Sequence, residues 1–200
     1  MGLDMWVYRI TKLSDEDLES IKDVAYDELH NVIDGLNSWE WNDDAEQLLT
    51  PIKPFLSFVK KPIEQINFEK AKKVLNIPKE AGLGACISGE FYFYVDGNPK
   101  PYVFDIHKLT PDQRAKIVET NTLEFALCHA DELLYWRKHY DLQDALHDAC
   151  ELEIENCGFY PLNDKMKKAI NDALRMEGRE GEICDLDSTE DSVVCYHEWY

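Results

Sequence analysis

Leu3-Asp4-Met5-Trp6-Val7-Tyr8-Arg9-Ile10 opens the chain, and Ser192-Val193-Val194-Cys195-Tyr196-His197-Glu198-Trp199-Tyr200 closes it. Both stretches alternate and are rich in large or β-branched side chains. Each reads as a strand. A first strand lying beside a last strand would place both chain ends in one sheet. Between them, Phe91 to Val95 and Tyr102 to Ile106 flank Asp96-Gly97-Asn98-Pro99. This is a hairpin with its turn, and the clearest β signal in the interior. Helical patterns separate these pieces. The expected fold is α+β: an antiparallel sheet holds both termini and the 91–106 hairpin, and four to five helices pack on it.

The helices are read from their caps. Ser14 precedes Asp15, Glu16 and Asp17, acids that the helix dipole favours in a first turn. Ile21, Val24, Ala25 and Leu29 then share a face, so this helix is expected to run to about Asp34, with Gly35 as its stop. Residues 37–42, with Trp39 and Trp41, read as a loop. Asp43 or Asp44 caps a second helix that Pro51 and Pro54 break. Asn67 caps a short helix ending near Asn76, and Thr110-Pro111 opens another through about Glu119. Leu123, Ala126, Leu127, Ala130, Leu133 or Leu134, Leu142, Ala145, Leu146 and Ala149 keep helical spacing, so residues 122–152 read as helix. Asn163 caps a last helix from Asp164 to about Met176. Ala-Gly-Leu-Gly-Ala-Cys at 81–86 lacks the lysine and the third glycine of nucleotide loops, so no phosphate site is read there.

The chain has 200 residues, 44% hydrophobic and 12% aromatic, enough for a packed core. One domain is expected over 1–200, with 35–121 as an insertion. No apolar run reaches membrane-spanning length. Asp4 stands where a signal peptide would be basic, and Trp6 stands where a myristoylation motif needs Ser or Thr. A cytoplasmic protein is expected. Six cysteines at scattered spacings then read as reduced and mostly buried thiols rather than disulfides.

Forty acidic residues against 21 basic ones give a net charge of −19. Such a surface repels nucleic acid and anionic membranes, since both are bound through Lys and Arg. It favours a protein partner with a basic surface. Acids at 15–19, 40–46, 141–155 and 177–191 would form that surface, including in imitation of DNA phosphates, and the lysine-rich stretch 53–79 would dilute it. Trp39 and Trp41 beside acids suit an interface anchor. The plain alternative is that acidity serves solubility, and Asp141, Asp144 and Asp148 then form a solvated face.

Glu132-Leu-Leu-Tyr-Trp-Arg-Lys138 and Glu155-Asn-Cys-Gly-Phe-Tyr160, together with the N-terminal Met-Gly-Leu-Asp-Met-Trp-Val-Tyr, carry a resemblance. In this order they resemble a group of uncharacterised bacteriophage and prophage proteins. Those begin Met-Gly-Leu-Asp-Met-Tyr-Leu-Tyr, continue to a helix with Tyr-Trp-Arg-Lys-Ala-Asn, and end with Asn-Cys-Gly-Tyr-Tyr, a capped helix and an aromatic strand. The resemblance covers residues 1–8, 132–138, 155–170 and 192–200. It implies a phage or prophage origin and an α+β fold, and it implies no activity. His139 and Tyr140 replace the family's Ala-Asn, and Gln143 stands at the family's histidine. His147 lies one helical turn further on.

Core packing explains these motifs more readily than catalysis. Tyr135 and Trp136 would pack a helix on the sheet, Arg137 would pair with an acid such as Asp4, and Gly158 suits a left-handed helix end. Tyr135, Trp136 and Arg137 join Trp39 and Trp41 as candidate binding residues. Two enzyme alternatives remain. His147 and Cys150 share a helix face, and with Cys157, or with Cys128 and His129, they could ligate zinc; no Cys-x-x-Cys or His-Glu-x-x-His pattern is present, so no cofactor is the primary expectation. Cys157 at a turn could act as a nucleophile with His147 or Arg137 lowering its pKa. Catalysis would gather His129, His147, Cys150 and Cys157 in one cleft; binding would scatter them.

Overall fold

The computed structural model describes residues 2–200, and the fold is α+β. In chain order the elements are β1 Asp4–Thr11, α1 Asp15–Ile21, α2 Leu29–Val32, β2 Leu36–Glu40, α3 Asp43–Leu49, β3 Ser57–Ile66, α4 Phe68–Val74, β4 Gly82–Ile87, β5 Glu90–Tyr94, β6 Tyr102–Asp105, α5 Pro111–Ile117, β7 Val118–Arg137, α6 Tyr140–Ala149, β8 Phe159–Pro161, α7 Asp164–Met176 and β9 Ser192–Trp199. A 3-10 helix over Thr50–Phe55 follows α3. The chain divides into two compact units, residues 1–61 with 123–200, and residues 62–122. Residues 35–61, expected in an insertion, thus build β2, α3 and the start of β3 in the first unit.

The first unit is organised by a sheet of order β2-β7-β1-β9-β8, with β3 also on β7. The two chain ends pair along their whole length, from Asp4 opposite Trp199 to Thr11 opposite Ser192. Both faces of this sheet are covered. On one face Met5, Val7, Leu134, Trp136, Val194 and Tyr196 meet Leu142 and Leu146 of α6 and Met166, Ile170 and Leu174 of α7. On the other face Ile10, Ala126, Cys128, Val193 and Cys195 meet Leu49 of α3 and Ile52 and Leu56 beyond it. The second unit is separate in composition and core. The 91–106 hairpin forms, but it belongs to a three-stranded sheet β4-β5-β6 rather than to the sheet of the termini. Phe93, Phe104, Ala71 and Ile117 fill its core, with Phe91 stacked 4.9 Å from Phe104. Gly84 is required in β4, because a Cβ there would lie 2.6 Å from the Tyr94 ring.

Several helix starts fall where the caps place them. Ser14 accepts from Asp17 N, Thr110 from Gln113 N, Asn67 from Lys70 N and Asn163 from Met166 N. Asn42, not Asp43 or Asp44, caps α3.

Three further readings are overturned. Residues 118–137 form one long strand, so Tyr135, Trp136 and Arg137 lie on β7 and only Tyr140–Ala149 is helical. Phe125 to Cys128 are all buried, because this central strand is covered on both faces. A strand so covered loses its two-residue alternation. A bulge adds to the effect: Val7 pairs Leu134 and Tyr8 pairs Glu132, so Leu133 is an extra residue. It sends Ala126, Cys128 and Ala130 to one face and Leu134 and Trp136 to the other. Second, α1 stops at Ile21 rather than near Asp34. The buried Lys61 donates to the carbonyls of Ile21, Lys22 (2.8 Å) and Val24 (2.9 Å), closing the helix end with a cation. Third, residues 36–40 are a strand, β2, paired with β7 from Leu36 opposite His129 to Glu40 opposite Phe125.

All six cysteines are free thiols, but only Cys128 and Cys195 are fully buried; Cys86 and Cys184 are exposed. Burial pushes the Cys128 thiol up to about 12. No helix among the described residues is long and apolar enough to cross a membrane.

Candidate functional site

The sheet of the first unit carries a cleft of about 350 Å³ on the face shared with α3. Strand pairing assembles it. Phe159 of β8 sits opposite His197 of β9, and Tyr8 of β1 sits opposite Cys195. Asn37 and Trp39 project from β2, while Ala45, Leu48 and Leu49 of α3 form the facing wall. Ala126, Cys128, Ala130 and Cys195 are the small residues of this face. With bulkier side chains there, the space between sheet and helix would fill.

The walls are aromatic. Phe159 and His197 stack with centroids 4.4 Å apart, Trp39 meets Phe159 edge-on at 5.5 Å, and Tyr8 lies 6.3 Å from Phe159. His197 Nδ1 donates to the Gly158 carbonyl at 3.1 Å. That bond fixes the ring and leaves Nε2 as an acceptor. Burial holds the His197 pKa below the ordinary histidine value, so the ring is neutral at pH 7. Burial, then the charge of Glu132, pushes the Tyr8 hydroxyl up to about 12, so it stays protonated. Asn37 Nδ2 donates weakly to Gly35 O at 3.4 Å, which leaves Oδ1 as a further acceptor. The lining contains no lysine, arginine, aspartate or glutamate.

The turn before β8 sets the remaining edge. Cys157 lines the cleft, and it, rather than Gly158, takes the left-handed backbone, with φ of 68°. Its N–H donates to Glu198 O at 2.9 Å, which ties the turn to β9. Gly158 is needed for space instead: a Cβ there would overlap the Tyr160 hydroxyl, which accepts from Glu155 N at 2.5 Å.

Of the residues singled out from sequence, the cleft therefore unites Trp39 and Cys157 and adds Tyr8, Asn37, Phe159 and His197. For Tyr8 and His197 the only sequence signal was the alternation of the terminal strands, which says nothing about which face is open; Phe159 stood in the 155–160 motif, and nothing singled out Asn37. The other candidates lie elsewhere. Trp41 packs edge-on against Phe58 at 4.7 Å, with the Lys53 ammonium 5.0 Å from its ring. Tyr135 is partly exposed and donates to Asp4 Oδ1 at 2.5 Å; Arg137 approaches the same oxygen at 3.7 Å through one nitrogen, not as a bidentate fork. Trp136 is 5% exposed and belongs to the core, donating to Glu177 Oε2 at 3.1 Å.

His147 and Gln143, one helical turn apart on α6, both reach Glu198, which is 0% exposed. Gln143 Nε2 donates at 3.0 Å, His147 Nε2 at 3.1 Å and the Tyr196 hydroxyl at 2.5 Å. A buried carboxylate needs such donors, and these dock α6 on β9. Cys150 packs beside the core at the end of α6, and His129 lies 3.5 Å from Asp17 Oδ2. His147 and Cys157 both contact Glu198, His147 through its ring and Cys157 only through its backbone N–H, while His129 pairs with Asp17. Among the described residues no group of three His, Cys, Asp or Glu side chains is placed to hold a metal ion.

Charge is distributed unevenly. Residues 62–122 hold eight acidic and eight basic side chains, which cancel; the other residues hold 32 acidic and 13 basic ones, and so carry the whole net charge of −19. Four of the seven lysines in 53–79, namely Lys70, Lys72, Lys73 and Lys79, lie in the balanced unit. Lys53 pairs with Glu46, Lys60 with Glu124, Lys70 with Glu119 and Lys72 with Glu69, while Lys61 is spent on carbonyls. The four acidic segments lie in the first unit. No family model, curated protein or solved structure matches the chain.

Proposed function

We propose that this is a phage or prophage accessory protein that acts by binding, and that its acidic unit engages a host or phage protein with a basic surface in the bacterial cytoplasm. The partition of charge supports this reading. A solubilising surplus has no reason to spare one compact unit entirely, whereas a surface for a basic partner does. Lys70, Lys72, Lys73 and Lys79 lie in the balanced unit, so they do not offset the charge of the acidic one. The His147 ring is spent on Glu198, and Cys157 faces the cleft beside His197 instead, so the set His129, His147, Cys150 and Cys157 does not line one cleft.

The test compares two triple charge reversals. One is Asp144→Lys with Asp148→Lys and Glu151→Lys in the first unit; the other is Glu80→Lys with Asp96→Lys and Asp112→Lys in the second. Partners are recovered from host extract and rebound in purified form at 50 and 300 mM salt. The first variant should lose the partner, the second should keep it, and salt should weaken the wild-type complex. Equal loss in both variants would refute the reading. Competition by duplex DNA for the partner would identify imitation of DNA.

A second reading rests on Cys157, a non-glycine residue in left-handed backbone that lines a cleft with His197. Such strain collects at functional positions. A cysteine enzyme would show rapid alkylation of Cys157 that follows a titration near neutrality; slow, featureless alkylation would dismiss it.

A further inference from the structure

We propose that the aromatic cleft is the anchor point of the binding surface, and that it receives an arginine side chain from the basic partner, with the guanidinium stacked on Trp39 and Tyr8. This rests on the acidic-binding reading and names the group that is recognised.

The cleft fits that occupant in size. About 350 Å³ lies at the small end of ligand pockets, roughly 300–1,000 Å³, so it suits one long side chain better than a cofactor. It fits in surface, because planar cations bind the faces of Trp and Tyr, and guanidinium sheds water more readily than ammonium. It fits in hydrogen bonding. His197 has its Nδ1 proton committed to Gly158, so Nε2 can only accept. Tyr8 Oη makes no hydrogen bond among the described residues, and Asn37 Oδ1 likewise accepts from none. A guanidinium has five donors and no acceptor, and His197 Nε2, Asn37 Oδ1 and the lone pairs of Tyr8 Oη can accept from them.

Charge excludes the alternatives of opposite sign. No lysine or arginine lines the cleft, so an anion would find no counter-charge, and it would be repelled by the unit that carries −19. The same field draws a cation in. Trp39 and Leu48 come from segments flanked by Glu40, Asp43, Asp44 and Glu46, which place acids near the mouth in sequence. Aromatic residues and arginine are the side chains most often found at the energetic centre of an interface.

The experiment uses the whole protein and two reporters. The probe is a short acetylated, amidated peptide with arginines spaced by glycine; its controls are the same peptide with citrulline, a neutral isostere, and with lysine. Titration calorimetry gives affinity. Maleimide labelling, read by peptide mass spectrometry, gives location: Cys157 lines the cleft, while Cys184 is an exposed thiol of the same unit outside it. The arginine peptide should slow labelling of Cys157 at least fivefold and leave Cys184 unchanged. Citrulline should give no protection, and lysine less than arginine. Trp39→Ala should weaken the arginine peptide at least tenfold, and Trp39→Phe should stay within threefold. The footprint on the unmutated chain keeps the test valid if Trp39→Ala unfolds. Salt-sensitive binding with no protection of Cys157 would overturn the cleft as anchor and leave the acidic reading standing. Equal protection by citrulline would overturn cation recognition. No binding of either cationic peptide at low salt would overturn both.

Discussion

Replacing Lys61 by methionine should cost about 2–4 kcal/mol. The side chain is 3% exposed, and its ammonium meets three backbone carbonyls at the end of α1. Hydrogen bonds to a charged group contribute about 1.5–3 kcal/mol each. Three of them would give roughly 5–9 kcal/mol, from which several kcal/mol for desolvating the ammonium must be subtracted. Methionine keeps the volume and removes the donors, so the cavity term is small and the orphaned carbonyls dominate. For a chain of this length each kcal/mol moves the melting temperature by about 2–4 °C, so the variant should melt roughly 4–16 °C lower. Urea unfolding should show a lower midpoint at an unchanged slope. A Lys61→Met protein that melts within 1 °C of the parent would show that these carbonyls find water or that the cation repays no more than its burial costs.

The His197 ring should make stability depend on pH. Its pKa is lowered by burial, so the unfolded chain binds the extra proton first; stability is full above the unfolded value of about 6.5 and declines as pH falls below it. His197→Phe should show a shallower decline in urea midpoint between pH 7 and 5, and an identical decline would contradict the assignment. Gly158→Ala should destabilise by about 1–3 kcal/mol, because the new methyl collides with Tyr160 and overpacking carries that cost; calorimetry showing no change would mean the turn relaxes freely. In the native protein a thiol reagent should modify Cys86 and Cys184 quickly and spare Cys128 and Cys195 until unfolding; early modification of the buried pair would mean that the sheet opens.

Local signals were legible wherever the physics was local. Asn163 marked the start of α7, because a cap needs only the few residues around it. The 91–106 hairpin was equally plain. The cleft was less so. Trp39 and Cys157 could be singled out as unusual, but Tyr8 and His197 look like any aromatic residues of a terminal strand, and Phe159 like one of a short extended piece. What makes them a site is that strand pairing and α3 bring them around one space, with only the small Ala130 and Ala45 among them.

Sequence by itself determined the α+β class, the pairing of two alternating chain ends, most caps and the acidic excess. The tertiary structure alone decided the fate of residues 118–137. Leu123, Ala126, Leu127, Ala130 and Leu134 have helical spacing, yet they form the central strand. A strand covered on both faces has no polar side to alternate with, and a bulge at Leu133 shifts its phase, so an apolar run there reads as a helix until the neighbouring strands are in place. The same holds for α1: its periodicity continues past Ile21, and only a lysine 40 residues away, folded back onto its carbonyls, ends it.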